Sequence, residues 1–202
     1  MSQPAQAGDA GLAPEDAARA GIYGLLARLF FAPPDQQLVG QILRAQAFEA
    51  DEGELVEDWC AIVEVCCSAH PVLLENEHTD LFVGTGKALV TPYLSSYVNL
   101  VVKEKKLVEL RGQLIRWGIA RHENVGEPED HVSGVFEAMR FAIATQHREV
   151  DEQKAFFDDF LYQPAIAFCD AVTASEEAVF YRLVARFARR FLDIERTAFE
   201  MT

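Results

Sequence analysis

An all-α fold is predicted for this chain, as a single-domain helical globule of roughly eight to ten helices. Apolar residues recur three and four positions apart through most of the sequence, which is the spacing of a buried helix face. No stretch alternates apolar and polar residues as a strand does, and no linker or internal repeat divides the chain. With 202 residues, 50% of them hydrophobic, the chain can bury one substantial core.

Proline and glycine punctuate the helices predicted in the first half. Pro14 suits the first turn of the first helix, and Pro33 ends it. A short helix is expected over residues 35–45, and a third from Gly53 to just before Pro71. The apolar residues that these helices are expected to bury are Ile22, Leu25, Leu26, Leu29, Phe30, Leu38, Ile42, Trp59, Ile62 and Cys66. We expect residues 1–13 to form a disordered tail and residues 14–202 to form the helical domain.

The second half continues in helical periods. A long helix marked by Leu100 and Leu110 is expected to stop at Gly118. A polar turn follows, in which residues 127–130 are expected to cap the next helix. Thr173 and Glu176 form a capping-box pattern that predicts the start of the last helix. The arginines expected on the exposed face of that helix are Arg182, Arg186, Arg189, Arg190 and Arg196.

Composition limits the class of partner and the location. A formal net charge of -14 disfavours nucleic-acid binding, because phosphate neutralisation needs a basic surface, and it favours a cationic partner. The N-terminus lacks the pattern of an export signal, and no apolar run is long enough for stable membrane insertion. The four cysteines show no CxxC spacing, so neither a zinc site nor a disulfide framework is indicated. We therefore expect a cytoplasmic protein with reduced thiols.

The segment from Leu73 to Val98 is the main interruption of the helical pattern, and we expect it to carry the function. Its start continues a helix as far as Phe82, after which glycines and a proline prevent a regular element. Tyr93 and Tyr97 lie four positions apart and give the loop aromatic anchors. They fit either packing in the core or direct contact with a ligand. Ordered loops held by a rigid frame often bind partners.

Acidic residues and histidines cluster near His78, His122 and His131, which leaves open a metal- or small-molecule-binding helical enzyme as the alternative function. However, no HExxH pattern or repeated ExxH pair is present, and surface carboxylates near a histidine are common. The run from Gly84 to Lys87 lacks the full spacing of a phosphate-binding loop. No nucleophile with a partner base can be identified. We therefore predict no catalytic residues, no metal and no cofactor.

Two stretches carry a family resemblance. The run EHTDLFVGTGKALVTPYLSSYV resembles the signature of the TorD/DmsD/NarJ family of cytoplasmic chaperones for molybdoenzymes, and the later EPEDH resembles that family's second signature. His78 departs from the pattern, because an aromatic residue usually stands there. The residues that match are Glu77, Leu81, Phe82, Gly84, Gly86, Pro92, Tyr93, Ser95, Tyr97, Pro128, Asp130 and His131.

The resemblance implies a TorD-like fold, as a monomer or a domain-swapped dimer, and a chaperone rather than an enzyme. It also implies that the partner is the precursor of a molybdoenzyme catalytic subunit, bound at its twin-arginine leader, and that export waits until the molybdopterin cofactor is inserted. A leader couples an arginine pair to an apolar segment, so its receptor needs carboxylates beside a hydrophobic groove. For the arginines we expect Glu77, Asp80, Glu129 and Asp130, and for the apolar segment Leu81, Phe82, Tyr93 and Tyr97. On a second interpretation of the Asp130–His131 pair, Asp130 only caps a helix and His131 is merely exposed.

Overall fold

A computed structural model describes residues 12–45, 53–84, 86–119 and 128–202. Within these ranges the chain forms nine α-helices and no strand, which confirms the predicted all-α, single-domain fold. The predicted tail over residues 1–13 stays a prediction, because residues 1–11 lie outside the described part. The helices are α1 (Pro14–Phe31), α2 (Gln36–Arg44), α3 (Glu54–Ser68), α4 (Pro71–His78), α5 (Lys103–Arg116), α6 (Val132–Ala144), α7 (Val150–Phe156), α8 (Tyr162–Ala174) and α9 (Phe180–Met201).

Aromatic side chains fill the core where α1 packs against α6 and where α9 packs against α3 and α8. The buried ring of Phe30 on α1 meets Phe168 of α8 edge-on, with ring centroids 5.0 Å apart. It also meets Phe82 edge-on at 6.0 Å. Phe82 belongs to a π-helical turn, Thr79–Val83, that extends α4. The C-terminal end of α1 is therefore packed against the start of the irregular segment.

The predicted helix ends are confirmed where the signal is local. Helix α1 stops at Phe31, two residues before Pro33, and the Asp35 carboxylate accepts a 2.6 Å hydrogen bond from the Leu38 amide at the start of α2. Gly118 follows α5 with φ of +67°, a conformation that favours glycine. Leu100, in contrast, precedes α5 and is exposed.

The predicted start of the last helix is wrong. Thr173 lies inside α8, where its hydroxyl donates to the Cys169 carbonyl at 2.8 Å, so it cannot act with Glu176 as a capping box. Helix α9 begins at Phe180 instead. Two of its arginines, Arg186 and Arg190, do not simply face solvent, because each reaches the fully buried Asp58 of α3 at 2.5 Å.

Candidate functional site

The two sequence motifs lie side by side. Tyr93 and His131 form an isolated antiparallel β-bridge. The Leu94 amide donates to the Asp130 carbonyl at 2.9 Å, and the Val132 amide donates to the Pro92 carbonyl at 2.8 Å. Because these are backbone bonds at both ends of a short pairing, they fix the loop to the start of α6 whatever side chains it carries. The expected proximity of the motifs is therefore present.

The Asp130 carboxylate holds the loop rather than capping α6 as predicted. Asp130 is buried, and its Oδ2 accepts a 3.2 Å hydrogen bond from the amide of Ser95, which is also buried. The residue that caps α6 is His131, whose Nδ1 accepts from the Ser133 amide at 3.3 Å and lies 2.7 Å from the Ser133 hydroxyl. Of the other acids predicted as caps, Glu127 lies outside the described residues and Glu129 pairs with Arg111. Burial leaves the Asp130 carboxylate little surface for an incoming arginine.

Two rings, Phe31 and Tyr93, reach the surface around His131, which is buried and not exposed as the second interpretation expected. Tyr93 meets His131 edge-on at 5.6 Å, and Phe31 meets the same imidazole edge-on at 6.4 Å. Tyr93 is half-buried, whereas 54% of Phe31 is exposed. Phe31 was not predicted as a site residue. The pair Phe30–Phe31 at a helix end gave the signal, because adjacent residues on a helix point in different directions and only one can enter the core.

Tyr97 has a mainly structural role. Its hydroxyl donates to the Thr91 carbonyl at 2.9 Å, and its half-buried ring meets Phe168 edge-on at 6.0 Å. Burial raises the pKa of Tyr97 to about 12, so the phenol keeps its proton at neutral pH. Of the two interpretations left open for the tyrosines, core packing describes Tyr97 and partial exposure beside His131 describes Tyr93.

Leu81 and Phe82 are buried in the core, so the expectation that they line an open groove is wrong. The Leu81 carbonyl accepts from the Val90 amide at 2.8 Å and closes the glycine-containing loop. Gly84 has φ of +66°, and a Cβ there would lie 2.3 Å from the Lys87 carbonyl oxygen, so only glycine fits. Gly86 also has a positive φ, of +143°, in open space. These residues fix the conformation of the loop.

The four predicted carboxylates have different roles. Glu77 accepts hydrogen bonds from the amides of Val179, Phe180 and Tyr181 at 2.8 to 3.1 Å, so it caps α9 and is not free for a client arginine. Glu129 is half-buried, and its carboxylate accepts two hydrogen bonds from the Arg111 guanidinium, at 3.1 and 3.2 Å. Asp80 is exposed on the π-helical turn. Of the four acids, Asp80 is thus exposed, whereas Glu129 is held by Arg111.

His78 lies behind the site, buried against Phe82 and Tyr181 with ring centroids at 5.2 and 5.6 Å. Burial lowers the pKa of the imidazole to about 4, and the charge of His131 acts in the same direction. The ring is therefore neutral at pH 7.

Metal chemistry gains no support from the described part of the chain, where no three His, Cys, Asp or Glu side chains converge as a metal site would need. Pro92, which precedes Tyr93 in the first motif, is buried, and Pro128 in the second motif is exposed. Among the described residues, no helix has the length and apolar character that a membrane crossing requires.

The chain is similar in sequence to a family of known proteins and to two named chaperones. The family model described as nitrate reductase delta subunit matches residues 45–174. The chaperone protein TorD of Photobacterium profundum is 29% identical over 119 residues, which are 54% of this chain and 55% of that protein, so the chain spans about half the length of that relative. The chaperone protein TorD of Vibrio cholerae is 25% identical over 198 residues, 88% of this chain and 90% of that protein.

A crystal structure of a candidate redox enzyme maturation protein from Archaeoglobus fulgidus has the same fold. It superposes with a TM-score of 0.59 at 20% identity, covering 96% of this chain and 97% of that one. The matched residues 45–174 include both paired motifs and most of the helical core. This chain therefore belongs to the nitrate reductase delta subunit family, the TorD/DmsD/NarJ family of maturation chaperones.

Proposed function

We propose that this protein is a cytoplasmic chaperone that binds the precursor of a molybdopterin-containing oxidoreductase at its twin-arginine leader. It holds the precursor back from export until the cofactor has been inserted. The observation that carries the proposal is that the exposed ring of Phe31, from α1, and the half-buried ring of Tyr93 both lie against His131, where the two motifs are paired. Family membership and the TorD names of the relatives support the same function.

The surface suits a cationic and apolar peptide. The rings of Phe31 and Tyr93 offer faces on which a guanidinium or an apolar side chain can stack. Asp80 supplies an exposed carboxylate for one arginine of the pair. The net charge of -14 attracts a basic leader from a distance, which speeds encounter more than it strengthens the final complex.

The proposed role is binding without turnover. Burial raises the pKa of the Cys66 thiol to about 11 and that of Cys169 to about 12, so neither thiol supplies a thiolate at neutral pH. The buried polar groups of the site, the Asp130 carboxylate and the Ser133 amide, are occupied by bonds that fix the backbone. A scaffold of this kind presents a rigid surface and needs no cofactor of its own.

Calorimetric titration with two synthetic peptides tests the proposal. One carries a twin-arginine motif followed by an apolar stretch, and the other has both arginines replaced by glutamine. We expect Phe31→Ser to weaken binding of the arginine peptide by about tenfold, the usual effect of removing an aromatic anchor. Ile194→Ser on α9, where a side chain of similar exposure is shortened, serves as the matched control and should leave the affinity unchanged.

Asp80→Asn should weaken binding and reduce its salt dependence, because it removes an exposed negative charge. The proposal fails if the two peptides bind equally well, or if Phe31→Ser binds the arginine peptide as tightly as the wild type does.

A further inference from the structure

A protruding apolar turn precedes α5, on the far side of Tyr97 in sequence. Leu100 is 84% exposed and Val101 is 90% exposed. The turn is nevertheless ordered, because Asn99 accepts hydrogen bonds from the Val101 amide at its side chain (2.9 Å) and from the Val102 amide at its carbonyl (3.0 Å). A preformed turn that holds two aliphatic side chains almost entirely in water gains nothing for the folded state by doing so.

The apolar surface continues along α5. Val108 and Ile115 lie one heptad apart on α5, so their side chains lie on the same side of the helix, and Val101 precedes the first residue of α5 by two positions. Val108 is 66% exposed and Ile115 is 69% exposed, while Leu110 and Leu114 face the core. We call the surface formed by Leu100, Val101, Val108 and Ile115 the α5 face.

Positive charge borders the α5 face in a strongly acidic protein. Helix α5 carries five basic residues and two acidic ones, a net charge of +3, whereas the whole chain carries -14. Acids from elsewhere meet two of the cations, since Arg111 pairs with Glu129 and Lys106 lies 3.6 Å from Asp159. The basic residues of α5 are Lys103, Lys105, Lys106, Arg111 and Arg116.

We propose that the α5 face attaches the protein reversibly to an anionic lipid bilayer, with the Leu100–Val101 turn inserted between the headgroups. Aliphatic side chains beside lysines are the composition of an interfacial helix, whereas protein interfaces favour aromatic residues and deplete lysine. A second copy of this chain is a poorer occupant, because it would bring together two surfaces on which positive charge exceeds negative charge.

The α5 face adjoins the candidate site. Arg111 of α5 binds Glu129, and the next residue, Asp130, holds the loop that carries Tyr93. A protein attached in this way would hold its client close to the membrane surface. The attachment itself does not depend on client binding, so the two proposals can fail separately.

Vesicle flotation of the full chain tests the inference. Vesicles of equal parts phosphatidylcholine and phosphatidylglycerol are compared with vesicles of phosphatidylcholine alone. We expect binding to the anionic vesicles at low salt, and a loss of about tenfold in the partition coefficient for the double variant Leu100→Glu, Val101→Glu. Val72→Glu, Leu73→Glu is the matched control, because it places the same charges at exposed aliphatic residues of α4, and it should bind as the wild type does.

Lys103→Gln, Lys105→Gln should reduce binding to the anionic vesicles and leave the weak binding to neutral vesicles unchanged. Equal binding by the wild type and the Leu100→Glu, Val101→Glu variant would overturn the inference, as would absence of binding to anionic vesicles. Sedimentation velocity without lipid provides a further check. A wild-type dimer that becomes a monomer in the Leu100→Glu, Val101→Glu variant would assign the α5 face to a second copy instead.

Discussion

At the residue scale, His78 links the core to the candidate site. Its imidazole occupies a position where the family pattern usually has an aromatic residue, and it is enclosed by Phe82, Tyr181 and the end of α1. An aromatic hydrocarbon would fill the same space without a polar nitrogen, and the Nε2 of His78 is buried with no hydrogen-bond partner. The imidazole thus packs in the core as an aromatic ring, and its protonation at low pH makes the stability of the fold sensitive to acid.

The pKa of His78 predicts how stability depends on pH. The pKa is about 4 in the folded protein and 6.5 in an unfolded chain, so the unfolded state binds the proton first as the pH falls. The contribution of the neutral imidazole to stability is complete above the pKa of the unfolded chain. It is lost progressively as the pH falls to the pKa of the folded protein. Between about pH 7 and about pH 5 the loss should be about 2 kcal/mol in the free energy of unfolding.

Urea unfolding of His78→Phe at both pH values measures this contribution. The variant should lose about 2 kcal/mol less on acidification than the wild type, because phenylalanine cannot take up a proton. His147→Asn, which replaces an exposed histidine, should lose as much stability between the two pH values as the wild type does. An equal loss in His78→Phe and wild type would mean that the buried imidazole does not resist protonation.

At the element scale, Glu77 defines where α9 begins. Its carboxylate accepts three amide hydrogen bonds at the N-terminus of a helix 102 to 104 residues later in the chain. These are groups that α9 cannot pair internally, and the negative charge also suits the positive end of the helix dipole. The matched position Glu77 thus supports the fold, and its carboxylate is already occupied.

Glu77→Ala should therefore lower the free energy of unfolding by about 2 kcal/mol, the upper range for loss of a helix cap. Hydrogen exchange should become faster at the amides of Val179, Phe180 and Tyr181. Glu75→Ala, on the exposed side of the same helix, should change stability little. If Glu77→Ala keeps wild-type stability and instead loses affinity for the arginine peptide, the carboxylate serves the client after all.

Elements with local signals could be predicted from the sequence, and those fixed by distant contacts could not. Pro33, Asp35 and Gly118 act on their own neighbours, so the ends of α1 and α5 and the start of α2 follow from the residue types. The start of α9 depends on Glu77, which no pattern around Thr173 could reveal. Both motifs were expected to contribute residues to one binding site. Their backbone pairing was not predicted, and the contribution of Phe31 required the packing of α1 beside α6.

At the scale of the whole molecule, a buried ionic cluster joins the first helix to the last. Arg19 of α1 donates two hydrogen bonds to Glu195 of α9, at 2.8 and 2.9 Å, and the buried Tyr23 hydroxyl donates to the same carboxylate at 3.0 Å. Glu195 is buried, although it belongs to the charged residues that usually stay on the surface. The cluster spans 176 positions of sequence.

Removing the acid from this cluster should cost far more than removing an exposed acid from the same helix. Glu195→Ala leaves the Tyr23 hydroxyl buried without an acceptor and the Arg19 guanidinium without its main partner, so we expect a loss of about 3 kcal/mol in the free energy of unfolding. Glu200→Ala also removes a glutamate paired with an arginine, Arg196, but both side chains are exposed and the loss should stay below about 0.5 kcal/mol.

Urea unfolding of the two variants, followed by a double-mutant cycle with Arg19→Met, separates the pair from its surroundings. If the cluster joins α1 to α9 as the structure indicates, the coupling free energy between Arg19 and Glu195 should exceed about 1 kcal/mol. Hydrogen exchange should then become faster in both helices together in Glu195→Ala. Equal losses in Glu195→Ala and Glu200→Ala would contradict this. The first helix would then be held by its apolar contacts with α6, α8 and α9, such as Tyr23 against Phe191 at 4.9 Å, rather than by the buried charges.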